Sequence, residues 1–189
     1  MKKLLLVLLL LSGLAQAASD VAGVKYEDKI KFGPSELTLN GVGVRARFFI
    51  KVYTIGLYLT EKKTTAAEVL ALKGAKRLHI VTLRDLSAED FAAALVGGIH
   101  KNHTDAEVEP LKAGIEEFKE AILSVKNSSK GDAVSIDWLP ESGTRLSING
   151  KQLGKDIAGE DFYRALLRIW LGSKPAQDDL KEALLGKPN

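Results

Sequence analysis

A chain of 189 residues with 46 % hydrophobic content is long enough for one core-bearing domain of ordinary size. It has no cysteine, which excludes disulfides, thiol catalysis, Cys-ligated metals and the acylated cysteine of a lipoprotein. Its 27 Lys and Arg against 24 Asp and Glu leave a formal charge of only +3, and no basic cluster interleaved with aromatics marks a nucleic-acid surface.

The N-terminus has the order of a secretory signal. Met1-Lys2-Lys3 is a short cationic start, Leu4 to Leu11 an apolar run, and Ala15-Gln16-Ala17 a small-residue cleavage site. The run is shorter than the roughly 20 residues that span a bilayer. Residues 1–17 are therefore expected to be a cleaved signal peptide, and residues 18–189 a single domain in the periplasm or outside the cell. Removing residues 1–17 from the 189 leaves 172 and takes away Lys2 and Lys3, so the formal charge falls from +3 to +1.

The mature chain begins with a predicted hairpin, Val24–Phe32 and Glu36–Leu39 about Gly33-Pro34. A strand is predicted over Phe48–Leu59, with apolar residues in both alternating sets, as for a central strand covered on both sides. Thr64-Thr65-Ala-Ala-Glu68 opens a short helix to Leu72, and Lys76–Arg84 reads as a strand. Ser87 caps a helix carrying Phe91, Leu95 and Ile99 on one face, and a second helix from Asp105 carries Leu111, Ile115, Phe118 and Ile122. After a turn at Asn127–Asp132 come strands Ala133–Leu139 and Thr144–Ile148, then a tight turn at Asn149-Gly150 into Lys151–Leu153. Helices at Glu160–Leu171 and Ala176–Leu185 end the chain. Strands, then helices, then strands and helices again predict an α+β fold with an antiparallel sheet.

Gly41-Val-Gly43-Val-Arg45-Ala46 spells a dinucleotide fingerprint, but a strand follows where the fingerprint needs a helix N-terminus, so the glycines are read as a turn or bulge. His100 and His103 share a helix face at metal- or haem-binding spacing, yet no third ligand is near, and a solvated helix end accounts for them; no metal or cofactor is expected. His79 falls in a strand, and the three histidines form no hydrolase constellation. Asn102-His-Thr104 and Asn127-Ser-Ser129 match a glycosylation acceptor that matters only in a eukaryotic source. Arg45 leads into a strand buried on both faces, where a charge is costly unless paired. It lies either at the rim in water or at the mouth of an apolar cleft, holding an acid or phenolate head group.

The Gly41-x-Gly43-x-Arg45 stretch with Phe49-Ile-Lys-Val-Tyr-Thr-Ile-Gly-Leu-Tyr-Leu59 resembles the chalcone isomerase fold family. The likeness continues at Leu86–Phe91, at Gly150-Lys-Gln-Leu153 and from Leu171-Gly172 to Pro175, and is nearest to the bacterial chalcone-isomerase-like branch. It implies an antiparallel sheet layered against helices, with a ligand cleft between them. The family's cleft arginine corresponds to Arg45. Its catalytic threonine falls at Tyr53, its tyrosine at Phe91, its asparagine at Gly98, and a substrate-contacting threonine at Ile169, beside Trp170. Three of these five positions have lost the polar group that would stabilise developing charge.

The family includes non-catalytic members that bind fatty acids, and the pattern here resembles them more. The expectation is an exported binding protein for an amphipathic, anionic, apolar small molecule. Arg45 would hold the head group, with Tyr53, Phe91, Leu95, Gly98, Ile169 and Trp170 lining the cleft. The alternatives are an isomerase or intramolecular lyase using Arg45 and Tyr53, and an envelope scaffold whose protein partner is unassigned.

Overall fold

β-branched and aromatic residues punctuated by Gly, Pro and Asn make the N-terminal part a series of strands. In the computed structural model, which describes residues 18–187, these are β1 (Ala18–Val21), β2 (Val24–Glu27), β3 (Lys29–Phe32), β4 (Ser35–Arg47) and β5 (Ile50–Leu59). The signal peptide expected over residues 1–17 lies outside the described residues. Next come α1 (Ala66–Ala71), β6 (Lys76–Thr82), a short β7 (Leu86–Ser87), α2 (Ala88–Lys101), α3 (Asp105–Val108) and α4 (Lys112–Leu123). A short β8 (Asn127–Ser128), then β9 (Ala133–Leu139), β10 (Gly143–Ile148), β11 (Lys151–Ile157), α5 (Glu160–Leu171) and α6 (Asp178–Leu184) complete the order.

Seven strands form one antiparallel sheet in the order β11-β10-β9-β6-β5-β4-β3. β1 with β2, and β7 with β8, form separate two-stranded pieces. This is the expected α+β architecture. The helices begin where local chemistry starts them. The Thr65 hydroxyl accepts from Glu68 N–H while the Glu68 carboxylate accepts from Thr65 N–H, and the Ser87 hydroxyl accepts from Asp90 N–H at 3.0 Å.

β4 runs to Arg47 where the sequence reading ends it at Leu39, β11 to Ile157 where it ends at Leu153, and β6 stops at Thr82 short of Arg84; further differences have a local cause. The segment Val24–Phe32 is two strands, β2 folding back on β1 while β3 pairs with β4 across Gly33-Pro34. The helix expected from Asp105 is broken: α3 has its own Thr104–Glu107 capping box, and a 3₁₀ turn at Glu109–Leu111 contains Pro110, which has no N–H to continue the ladder. The strand expected from Phe48 begins at Ile50. Arg47 and Ile50 are the last cross-strand pair, and Phe48 (φ 48°) and Phe49 (φ 65°) form the two-residue turn between β4 and β5. Two positive-φ residues suit Asn-Gly, whereas a bulky residue there costs roughly 1–2 kcal/mol.

The inner face of the sheet carries the main core. Ile55, Ile80 and Val134 form one cross-strand row and Leu57, Leu78 and Ile136 the next, under α2, α4 and α5. On the outer face the β1–β2 hairpin lays Tyr26 over Gly56, where a Cβ would come within 2.7 Å of the tyrosine ring. The Tyr26 hydroxyl donates to Thr54 Oγ1 at 2.7 Å, and its ring meets His79 edge to face. β5 is thus covered on both sides. Bidentate pairs, Arg77 with Asp137 and Arg145 with Asp156, cross the remaining outer face.

The Gly41-x-Gly43 strip receives α6. A Cβ at Gly41 would stand 2.0 Å from the Ala183 carbonyl oxygen, and one at Gly43 would stand 2.7 Å from Leu180 Cδ1. Asn40, at a bulge in β4, fixes the helix end, its Nδ2 donating to Leu184 O at 2.8 Å and to Lys63 O at 2.9 Å.

Two outcomes follow for stability. Gly41→Ala forces the α6 backbone off the strand and is expected to cost about 2 kcal/mol by overpacking, measured by urea denaturation; an unchanged midpoint contradicts the close approach. Burial, with Arg77 adding to it, pushes the His79 pKa down from 6.5 to about 4, so the folded chain binds this proton less readily than the unfolded one. Stability is therefore fully present above pH 6.5 and declines as pH falls towards 4, by roughly 2–3 kcal/mol. His79→Gln should remove that part of the slope, and parallel pH profiles for the two proteins count against the assignment.

Candidate ligand site

Three residues form one row across the inner face at the hairpin end of the sheet. Arg45 of β4 pairs with Tyr53 of β5, and Tyr53 with Thr82 of β6. Two strand spacings separate Arg45 from Thr82, about 10 Å. Tyr53 is buried, and its hydroxyl accepts a 3.0 Å hydrogen bond from Trp170 Nε1 of α5. Burial raises the Tyr53 pKa above its ordinary value, with the Trp170 bond and the nearby Arg45 charge acting against it. At neutral pH this phenol is protonated, a hydrogen-bonding group and not a base.

Arg45 is half-buried. Its Nη1 donates to the Gln177 side-chain oxygen at 3.0 Å and to Ala46 O. Gln177 is the N-cap residue of α6. Its Oε1 also accepts from Ala46 N–H at 2.9 Å, and its Nε2 donates to Val44 O at 3.3 Å. Among the described residues no carboxylate lies within ion-pair distance of Arg45. A guanidinium removed from much of its water thus faces one neutral side-chain acceptor.

The helices close over this row. On α2, Phe91, Leu95 and Gly98 follow one another at helical spacing. Leu95 is buried, and Gly98 lets α2 press on α5: a Cβ there would stand 2.8 Å from Ile169 Cγ2. Ile169 and Trp170 are 4 % and 1 % exposed, so both are part of the core. Phe91 lies at the other end of the stripe, lining an apolar dimple with Thr82, Leu86, Ile122, Val125 and Ile148 that holds about 20 Å³. That is room for about one water molecule. The dimple begins at Thr82, the third member of the row.

Of the seven residues singled out from the sequence, Tyr53 and Trp170 are hydrogen-bonded, Arg45 stands next to Tyr53, and Gly98 meets Ile169. Leu95 and Phe91 continue the same α2 stripe. Sequence reasoning did not find Gln177 and Thr82. Gln177 is 132 residues from Arg45, and only the reading of Gly41-x-Gly43 as a seat for a helix would have pointed to it. His103 Nδ1 lies 2.8 Å from Ile99 O, His100 is exposed, and no group of three or more metal-ligating side chains occurs among the described residues. Asn102 spends its amide on Gly98 O and Lys174 O, tying α2 to the connection between α5 and α6. Among the described residues no helix is long and apolar enough to cross a membrane.

A family pattern described as chalcone isomerase-like matches residues 18–186. No curated protein matches the chain. Among solved structures, a fatty-acid binding protein of Arabidopsis thaliana is similar with 14 % identity and a TM-score of 0.66, over 89 % of this chain and 96 % of that one. At that identity the likeness is one of fold. The match runs from the first described strand past the last helix, over a sheet and helices arranged as in that structure, and the chain belongs to the chalcone isomerase-like family.

Proposed function

We propose that this protein is an exported, non-catalytic binding protein for an amphipathic carboxylate of fatty-acid type. The observation that carries the reading is Arg45, a half-buried guanidinium with no carboxylate partner among the described residues, at the edge of an apolar inner face. Such a group is costly to desolvate and gains most from an anion. A ligand carboxylate would take the guanidinium edge and displace the Gln177 carboxamide, exchanging a neutral acceptor for a charged one. The tail would run along Tyr53 and Thr82 towards the Phe91 dimple, with Leu95, Gly98, Ile169 and Trp170 as the far wall. Since those groups pack closely, uptake of a chain requires α2 and α4 to move away from the sheet. The fold shared with a fatty-acid binding protein supports a binding role.

Isomerase chemistry fits the residues less well. Tyr53 is protonated and its hydroxyl is engaged by Trp170. Phe91, Gly98 and Ile169 offer no side-chain donor for developing charge.

The test is binding of a long-chain carboxylate and of the corresponding alcohol to the protein and to Arg45→Met, read as thermal stabilisation against ligand concentration. Arg45→Met is expected to weaken the carboxylate by roughly 1.5–3 kcal/mol and to leave the alcohol almost unchanged. Equal affinity of acid and alcohol in both proteins removes Arg45 from the site, and binding of neither favours the scaffold. Export is tested by N-terminal sequencing from the natural host, which should find a start near Ala18 in the periplasmic fraction; an intact Met1 on most molecules contradicts it.

A further inference from the structure

We infer that the β4–β5 hairpin tip, Arg47-Phe48-Phe49-Ile50-Lys51, is a docking spike for the surface of an anionic lipid bilayer. Phe48 is 82 %, Phe49 103 % and Ile50 54 % exposed, and among the described residues the one other large hydrophobic side chain so exposed is Leu123. Both phenylalanines hold positive φ, at positions that Asn and Gly would occupy with less strain. The tip therefore carries two residues that serve neither the turn nor the core, and strain of this kind concentrates where function requires it.

The charges around the tip choose the partner. Arg47 and Lys51 are exposed on either side of the three apolar residues, and the Arg47 guanidinium stands 5.5 Å from the Phe48 ring centroid. Arg84, also exposed, lies as far beyond Thr82 as Lys51 lies from its partner Tyr53. Among the described residues none of these three cations is in an ion pair. Asp85, next to Arg84 in the chain, accepts from Lys130 N–H through its Oδ1, and on α6, whose N-cap Gln177 bonds to Arg45 and Ala46, Asp179 Oδ1 accepts from Leu180 N–H. Aromatic rings flanked by Lys and Arg suit the interface of a membrane, where the rings enter the headgroup level and the cations meet anionic lipid.

A protein partner fits less well. Three apolar side chains at about 150–250 Å² each fall short of the roughly 800 Å² that each side of a stable protein interface covers. A bilayer needs no complementary surface. The spike begins two residues beyond Arg45, so a docked protein would present the Arg45–Tyr53–Thr82 row next to the lipid. The inference stands on the tip alone and does not need the ligand reading.

The test uses vesicles without added fatty acid, so that its failure and that of the carboxylate site are distinguishable. The chain has no cysteine, so Ile50→Cys carries an environment-sensitive fluorophore at the tip, and Lys155→Cys on β11 serves as the control position. Phosphatidylglycerol–phosphatidylcholine vesicles should shift the Ile50 label to the blue and leave the Lys155 label unchanged. In the double variant Phe48→Asn, Phe49→Gly, which gives the turn its preferred residues and keeps the fold, vesicle affinity of the tip-labelled protein should fall about tenfold or more. Arg47→Gln with Lys51→Gln should reduce binding to the anionic vesicles and weaken its salt dependence. A tip label that stays in water with these vesicles, or equal binding by the Asn-Gly variant, overturns the inference and leaves the tip to a protein partner.

Discussion

α6 can lie against β4 because Gly41 and Gly43 leave the strand bare at the contact, with the Ala183 carbonyl where a Cβ of residue 41 would be. Both ends of the helix are then fastened to that strand. Asn40 donates to Leu184 O at one end, and at the other Gln177 bonds to Val44 O, Ala46 N–H and Arg45. The Gly-x-Gly-x-Arg stretch is thus a seat for a helix, with the arginine at the point where the helix starts. A side chain at either glycine would move the N-cap of α6 and with it the Gln177 oxygen to which the Arg45 guanidinium donates.

This arrangement separates the parts that hold the fold from the parts left to bind. The main core runs through Ile55, Leu57, Ile80 and Ile136, and the Lys76 buried at its edge stands 3.6 Å from the Glu160 carboxylate. The outer face is closed by Tyr26 and by the Arg77–Asp137 and Arg145–Asp156 pairs, each cation matched to a carboxylate. Arg45 breaks that pattern, and so do the cations around the hairpin tip. The unmatched charge and the exposed apolar rings sit at one end of β4 and β5, the end at which the Tyr53–Trp170 bond closes the inner face. Natural sequences depart from local consistency at functional sites, and here the departures fall together.

Elements specified by neighbours in the chain were legible in the sequence. Thr65 with Glu68 and Ser87 with Asp90 start helices within one turn, and α5 keeps the expected bounds Glu160–Leu171. The antiparallel α+β plan followed from the order of these pieces. Contacts made across the chain were not legible. Gly41 and Gly43 read as a turn or bulge, and β4 does bulge between Leu39 and Gly41, but what requires the glycines, Leu180 and Ala183, lies at the other end of the sequence. Phe48 and Phe49 read as strand because aromatic residues favour strands, and nothing local announces a reversal without Asn, Gly or Pro. Arg45, Tyr53 and Trp170 could be named from the family resemblance, but the Gln177 bond and the tight Gly98–Ile169 contact join residues far apart in the chain and leave no local signal.

The account rests on the Arg45–Tyr53–Thr82 row as the place where a carboxylate ligand lies, and the two tryptophans offer a direct view of it. Trp170 donates to Tyr53, whereas Trp138 lies on β9, tilted against Tyr163. In an NMR spectrum of the ¹⁵N-labelled protein the indole N–H signals can be followed while a long-chain fatty acid is added. The account predicts that the Trp170 indole signal moves as its bond to Tyr53 is disturbed, and that the Trp138 signal stays in place. A Trp170 signal that does not move at saturating ligand, or a shift confined to Trp138, would place the ligand elsewhere and contradict the account.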